Sequence, residues 1–148
     1  MFLTGAVFNG NLGGVPGADA LCMADGNRPA TGFYRALLVA MGQRSVQLPG
    51  APVNWPLQAS MQYTRADGTL VATTTPQRVF PPVPFDLAIS PIGGPFWTGM
   101  DLAYSRVENC LDWTASGAGE GGTSSGLAAL TADSVTCNQS RRLLCVEE

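Results

Sequence analysis

Four cysteines are the residues of this chain whose type and spacing suggest chemistry. They stand at Cys22, Cys110, Cys137 and Cys145 in a chain of 148 residues. The last two have seven residues between them, not the roughly two to four of a zinc knuckle, and the chain has no histidine to complete a mixed site. We therefore expect structural disulfides and no metal site. Four cysteines allow three pairings, and the sequence alone does not choose between them.

The even cysteine count also bears on location. Paired cysteines without metal-type spacing are typical of an oxidising compartment, which predicts a secreted protein or one on the outer cell surface. Residues 1–4 lack the basic and apolar regions of a signal peptide. We accordingly expect an export or lipid-anchoring signal upstream of the residues printed here.

The usual nucleophile and base pairs of enzymes are missing from the chain. It has no histidine and, because all eight cations are arginines, no lysine. Ser-His-Asp, Cys-His and Schiff-base chemistry within the chain are thereby excluded. A glycosidase needs two carboxylates at a defined separation, and the spacing nominates no pair among the seven aspartates, which are Asp19, Asp25, Asp67, Asp86, Asp101, Asp112 and Asp133. We expect a non-enzymatic protein without a cofactor.

Composition limits the class of partner. The net charge of −3 and the pI near 4.7 argue against nucleic acid, polyanions and anionic membranes. No apolar run approaches the roughly 18 residues that span a bilayer. With 45% apolar residues the chain can form one core, so we expect a single domain over residues 1–148.

The predicted elements are short and separated by glycine- and proline-rich stretches. A helix is expected over Pro16–Asp25, with Cys22 facing the core and Gly26 ending it. A hairpin is expected over Tyr63–Val71, with its turn at Asp67 and Gly68. The remaining assignments are strands at 2–8, 95–100 and 143–146, a strand or buried helical turn at 33–40, an irregular connection at 73–95 and a loop at 115–126.

Five blocks of sequence, in order, resemble a known superfamily. They are Gly13-Gly14-x-x-Gly17-Ala18-Asp19-x-x-Cys22, Gly32-x-Tyr34-Arg35-Ala36-x-Leu38, Trp97-x-Gly99, Cys110-x-x-Trp113-Thr114 and Cys137-x7-Cys145-x-Glu147. This arrangement is similar to the endostatin-like branch of the C-type lectin-like superfamily, and in particular to the leptospiral endostatin-like, DUF1554-type bacterial surface domains. The resemblance covers essentially the whole chain.

The resemblance implies an α+β fold, C-type lectin-like (endostatin-like), with a mixed, mostly antiparallel sheet, one or two short helices and long ordered loops. It implies nested disulfides, Cys22–Cys145 and Cys110–Cys137, and a structural core that includes Trp97, Gly99 and Trp113. It also implies an adhesin-like role in which the domain binds extracellular proteins, such as matrix components or complement regulators.

The chain departs from the sugar-binding and metal-binding members of that superfamily. The calcium-binding lectins carry Glu-Pro-Asn or Gln-Pro-Asp and Trp-Asn-Asp, whereas this chain has Ala132-Asp133-Ser134 before Cys137 and no such Pro tripeptide. Two or three scattered carboxylates do not make a site for an ion that takes about six to eight oxygen ligands. The histidine-containing zinc site of vertebrate endostatins is absent too. We expect no metal.

Two other functions remain open at the level of the sequence. The first is calcium-independent glycan binding, with Trp55, Tyr63 and Tyr104 as possible ligand contacts that stack on sugar rings. The second is a purely structural module of the cell envelope. Trp55, between Asn54 and Pro56, is the best candidate for an exposed aromatic contact under either binding function.

Overall fold

The computed structural model describes residues 1–46, 51–81, 89, 93–119, 121–125 and 133–148, with residues 123–125 described by their backbone alone. Within these residues the chain is α+β, with two short helices and eight short strands. The elements are β1 (Phe2–Leu3), α1 (Gly14–Ala24), β2 (Tyr34–Ala36), β3 (Gln62–Thr64), β4 (Leu70–Thr73), β5 (Phe96–Trp97), α2 (Cys110–Trp113), β6 (Gly121–Ser125), β7 (Asp133–Thr136) and β8 (Arg142–Glu147).

Strand β8 organises the larger sheet. It pairs antiparallel with β1 and β2 and parallel with β5, and the sheet continues through β6 to β7. Successive side chains of a strand point to opposite faces, so Leu143 and Cys145 enter one hydrophobic cluster while Leu144 and Val146 enter another. A strand covered on both faces must be apolar throughout, which explains the continuous run of buried residues in β8.

Helix α1 lies on the cluster that contains the disulfides. Pro16 stands in its first turn, where a missing amide hydrogen costs nothing. Val15, Ala18 and Cys22 are buried at helical spacing. The helix therefore presents Cys22 to the sheet, as the sequence predicted.

A buried ion pair joins α1 to the segments that follow it. The Arg44 guanidinium donates to both carboxylate oxygens of Asp19, at 2.7 and 2.6 Å. It also donates to the carbonyls of Ala36 and Asn54, at 2.8 and 3.0 Å. The Ala36 amide donates to Asp19 at 3.0 Å. Asp19, with its side chain 20% exposed, thus links α1 to Arg44 and to β2.

Several sequence predictions match these elements and others do not. The hairpin is present as β3 and β4, and the closing strand is present as β8. The predicted first strand is reduced to β1, with one further bridge from Phe8 to Arg141. The predicted loop at 115–126 is wrong in part, because β6 lies within it and pairs with β5 and β7. Of the irregular connection at 73–95, residues 82–88 and 90–92 lie outside the described residues.

Within the described part of the chain, no helix has the length and apolarity needed to cross a membrane.

Candidate functional site

Two disulfides fix the framework of the domain. Cys22 is bonded to Cys145, and Cys110 to Cys137, with Cα–Cα distances of 5.7 and 5.6 Å. These are the nested pairs that the resemblance implies, and no cysteine is free. The first bridge joins α1 to β8, and the second joins α2 to the end of β7.

The three predicted aromatic contacts are in the core, which corrects the sequence prediction. Trp55, Tyr63 and Tyr104 are 4%, 4% and 7% exposed. The Trp55 indole donates to the carbonyl of Arg78 at 2.8 Å, and the Tyr104 hydroxyl accepts from the amide of Phe80 at 2.8 Å. Aromatic side chains with a polar tip are readily buried when that tip finds a hydrogen-bond partner. Their ring faces are therefore not available for stacking on a sugar.

These buried phenols predict an alkaline transition. Burial raises the pKa of Tyr63 and Tyr104 above the ordinary value of 10.0, and burial together with Glu147 raises that of Tyr34. Above about pH 10 the unfolded chain loses protons that the folded chain retains, so stability falls as the pH rises. We expect the free energy of unfolding to decrease above about pH 10, with tyrosinate absorbance appearing together with unfolding. Tyrosinate absorbance near pH 10 in a chain that is still folded would contradict this prediction.

The carboxylates do not assemble a metal site in the described residues, where no group of three or more metal-ligating side chains occurs. Asp25 accepts from the amides of Gly5 and Asn27, and Asp101 accepts from those of Ala103 and Ser105. Asp25 thus ties Gly5 to the end of α1, and Asp101 orders the turn that follows it.

The most unusual backbone of the described chain is α2. Its four residues Cys110–Trp113 all have positive φ, at 54°, 52°, 54° and 68°. Trp113 and Thr114 donate to the carbonyls four residues earlier, at 2.8 and 3.1 Å. The segment is therefore one turn of left-handed helix without glycine. Each L-residue in this conformation costs roughly 1–2 kcal/mol, because Cβ approaches the following carbonyl oxygen. Such strain persists only where the surrounding structure imposes it.

The surroundings of the left-handed turn do impose it. The Asn109 side chain accepts from the Asp112 amide at 3.2 Å and donates to the Asp112 carboxylate at 2.6 Å. The same carboxylate accepts from the Met41 amide at 2.8 Å. The buried Trp113 indole donates to the carbonyl of Val39 at 2.8 Å, and Cys110 is held by its disulfide. Both ends of the turn are thus tied to the core, and its middle is tied to the Met41 backbone.

The predicted core residues Trp97 and Gly99 pack against the third, Trp113, which is the last residue of this turn. Both indoles are fully buried and meet edge to face, with centroids 5.9 Å apart. Gly99 has a φ of +66°, and a Cβ there would lie 2.7 Å from the Trp113 ring. Only glycine allows this approach.

The turn holds Leu111 in solvent, with 62% of its surface exposed. Three further apolar side chains come from segments bonded to it. The first segment is 39–41, in which the Val39 carbonyl accepts from Trp113 and the Met41 amide donates to Asp112. The second is 98–107, in which the Thr98 carbonyl accepts from the Val39 amide and the Val107 amide donates to the Gly99 carbonyl. We call the exposed side chains of these segments the Leu111 face; they are Met41, Leu102, Val107 and Leu111, at 44% to 62% exposure.

The local sequence does not predict this face. Asn-Cys-Leu-Asp-Trp at 109–113 has no glycine to signal positive φ, and Asn and Asp were the only signals, since they visit that region more readily than most residues.

Comparison with known proteins gives one family. The sequence profile described as "Protein of unknown function (DUF1554)" matches residues 5–130. No curated protein matches the chain significantly.

Proposed function

The chain belongs to the DUF1554 family, and from this membership and the Leu111 face we propose that it is a non-enzymatic bacterial binding domain, secreted or displayed on the cell surface. It recognises extracellular proteins, of the matrix or complement-regulator type that the endostatin-like resemblance implies. We also propose that its fold is C-type lectin-like, of the endostatin-like branch. The paired cysteines support the location, because disulfides persist in oxidising compartments.

One observation carries the proposal. Leu111 is a large apolar residue that is exposed and, in addition, strained by a positive φ of 52°. Folding alone would favour glycine or asparagine at such a position. A side chain that contributes little to the core and is held rigidly in solvent is suited to a partner's pocket, since rigid apolar anchors lose little entropy on binding.

Protein binding fits the face better than sugar binding does. The Leu111 face has four aliphatic or thioether side chains and no aromatic ring, whereas sugars stack on aromatic rings. The aromatic residues proposed for that purpose are buried. Met41, whose amide donates to Asp112 beside Leu111, adds a second exposed apolar side chain close to this anchor, which suits the apolar centre of a protein interface.

Replacement of Leu111 by asparagine tests the proposal. We expect Leu111→Asn to stabilise the fold by about 1 kcal/mol, because asparagine tolerates positive φ, while it abolishes binding to the protein ligand. Chemical unfolding measures the first effect. Binding to immobilised matrix proteins and complement regulators, beside a glycan array with and without EDTA, measures the second.

Leu70→Asn is the matched control. Leu70 is also exposed, at 41%, but it lies in β4 outside the Leu111 face. We expect this variant to bind normally and to gain no stability. Protein binding that survives Leu111→Asn, or binding of a defined sugar alone, would contradict the proposal.

A further inference from the structure

Negative charges outnumber positive ones among the chain neighbours of the Leu111 face. Each of three apolar residues of the face has a carboxylate beside it in the chain: Asp101 precedes Leu102, Glu108 follows Val107 and Asp112 follows Leu111. Glu108 is exposed, and Asp101 and Asp112 are half-buried. Their positions are fixed, because Asp101 accepts from two backbone amides, Glu108 accepts from the Ser134 hydroxyl and Asp112 accepts from Asn109 and Met41.

Few positive charges lie near these carboxylates in the chain. Arg106 is exposed next to Val107, and it is the one exposed arginine of the described segments 39–46 and 98–113. Arg44, the other arginine there, is fully buried against Asp19. Three carboxylates and one exposed cation therefore stand next to apolar residues of the Leu111 face along the chain.

We propose that the Leu111 face binds a protein segment that presents apolar side chains flanked by lysine or arginine. The inference rests on the proposed function and adds the chemistry of the partner. Charges at the rim of an interface act mainly on the rate of association, through long-range attraction, while apolar anchors at the centre govern dissociation. The two parts of the face thus have separate kinetic signatures.

The same charges disfavour two other occupants. A second copy of the chain on a two-fold axis would place the same patch against itself, so the carboxylate margins would face each other and repel. An anionic membrane would repel them as well. A protein segment with apolar and basic side chains matches both the apolar residues of the face and the carboxylates next to them.

Synthetic peptides provide the test. Three sets of immobilised peptides share the same apolar core and differ only in their flanking residues, which are lysine, glutamine or glutamate. The full chain is passed over each set at several salt concentrations. We expect the lysine-flanked set to bind best, with an association rate that falls as salt rises. Glu108→Gln retains the acceptor for Ser134 but removes a charge, and we expect it to lower the association rate about two- to five-fold with little change in dissociation.

Arg106→Gln is the opposite control, and we expect it to raise the association rate by a similar factor. Leu111→Asn should remove binding to every set. Equal binding of the three sets, preference for glutamate flanks, or no binding at all would overturn the assigned partner chemistry.

The outcomes separate this inference from the proposed function. If Leu111→Asn still abolishes binding to matrix or complement proteins while the flanks have no effect, the charge assignment fails and the proposed function stands. If Leu111→Asn changes binding to no protein or peptide, both fail. A dimer in analytical ultracentrifugation that Leu111→Asn dissociates would make the occupant a second copy and overturn the inference.

Discussion

Replacing both Cys22 and Cys145 by alanine should lower the free energy of unfolding by about 5 kcal/mol. The bridge spans 123 residues, so its removal restores conformational freedom to most of the unfolded chain. Domains of this size are typically stable by only about 5–15 kcal/mol, so we expect the variant to be marginally folded or unfolded. Denaturant unfolding measured by fluorescence gives the change in free energy.

Removal of the second bridge is the matched comparison. Cys110 and Cys137 are 27 residues apart, and on the same chain-entropy argument their replacement should cost about 3.5 kcal/mol. Release of the left-handed turn would offset part of this loss, because Cys110 is one of its strained residues. A larger loss for the short bridge than for the long one would contradict the prediction. If the Cys110, Cys137 variant remains folded, we expect it to lose binding through the Leu111 face.

Arg44→Met should be the second most damaging change, with a loss of about 3–5 kcal/mol. The Arg44 side chain is fully buried, and the Asp19 side chain is 20% exposed. Removing the guanidinium leaves the Asp19 carboxylate with the Ala36 amide but without its counter-charge, and it takes a donor from the carbonyls of Ala36 and Asn54. Chemical unfolding of the variant measures the effect.

Arg35→Met is the control for this prediction. Arg35 pairs with Glu148 at 3.0 Å, with side chains 23% and 36% exposed, and water screens such a pair. Its loss should cost less than about 1 kcal/mol. We expect the double variant Asp19→Leu, Arg44→Met to recover part of the stability lost by Arg44→Met, since no charge is then left uncompensated. Equal losses in the free energy of unfolding for Arg35→Met and Arg44→Met would contradict the structural role given to the buried Arg44.

The elements that the sequence predicted correctly depend on local signals. The Asp67-Gly68 turn predicts its hairpin because glycine supplies the positive φ of the turn, 83° at Gly68. Helix α1 follows from Pro16 and the apolar spacing through Cys22. The burial of Trp97 and Trp113 follows from their place in motifs that resemble a known superfamily.

The sequence predictions that failed concern residues whose surroundings are set by residues distant in the chain. Trp55 stands between polar and proline residues and so looks exposed, but the carbonyl of Arg78 and the ring of Tyr104 bury it. Strand β6 is rich in glycine and serine and forms because β5 and β7 both offer it backbone partners. Arg44 has no local reason to be buried, and its partner Asp19 lies 25 residues earlier.

The sequence by itself therefore determined the class of this protein: its composition, its even cysteines and the order of its motifs specify an α+β domain of the family that the comparison finds, without the residues of common catalytic dyads and triads. Only the tertiary structure shows the left-handed turn with the exposed Leu111 on which the proposed binding function rests. The conformation of Cys110–Trp113 opposes the local preference of its residues and is imposed by Asn109, by the carbonyl of Val39 and by a disulfide to Cys137. Local propensity cannot predict a turn whose strain is balanced by contacts so far away in the chain.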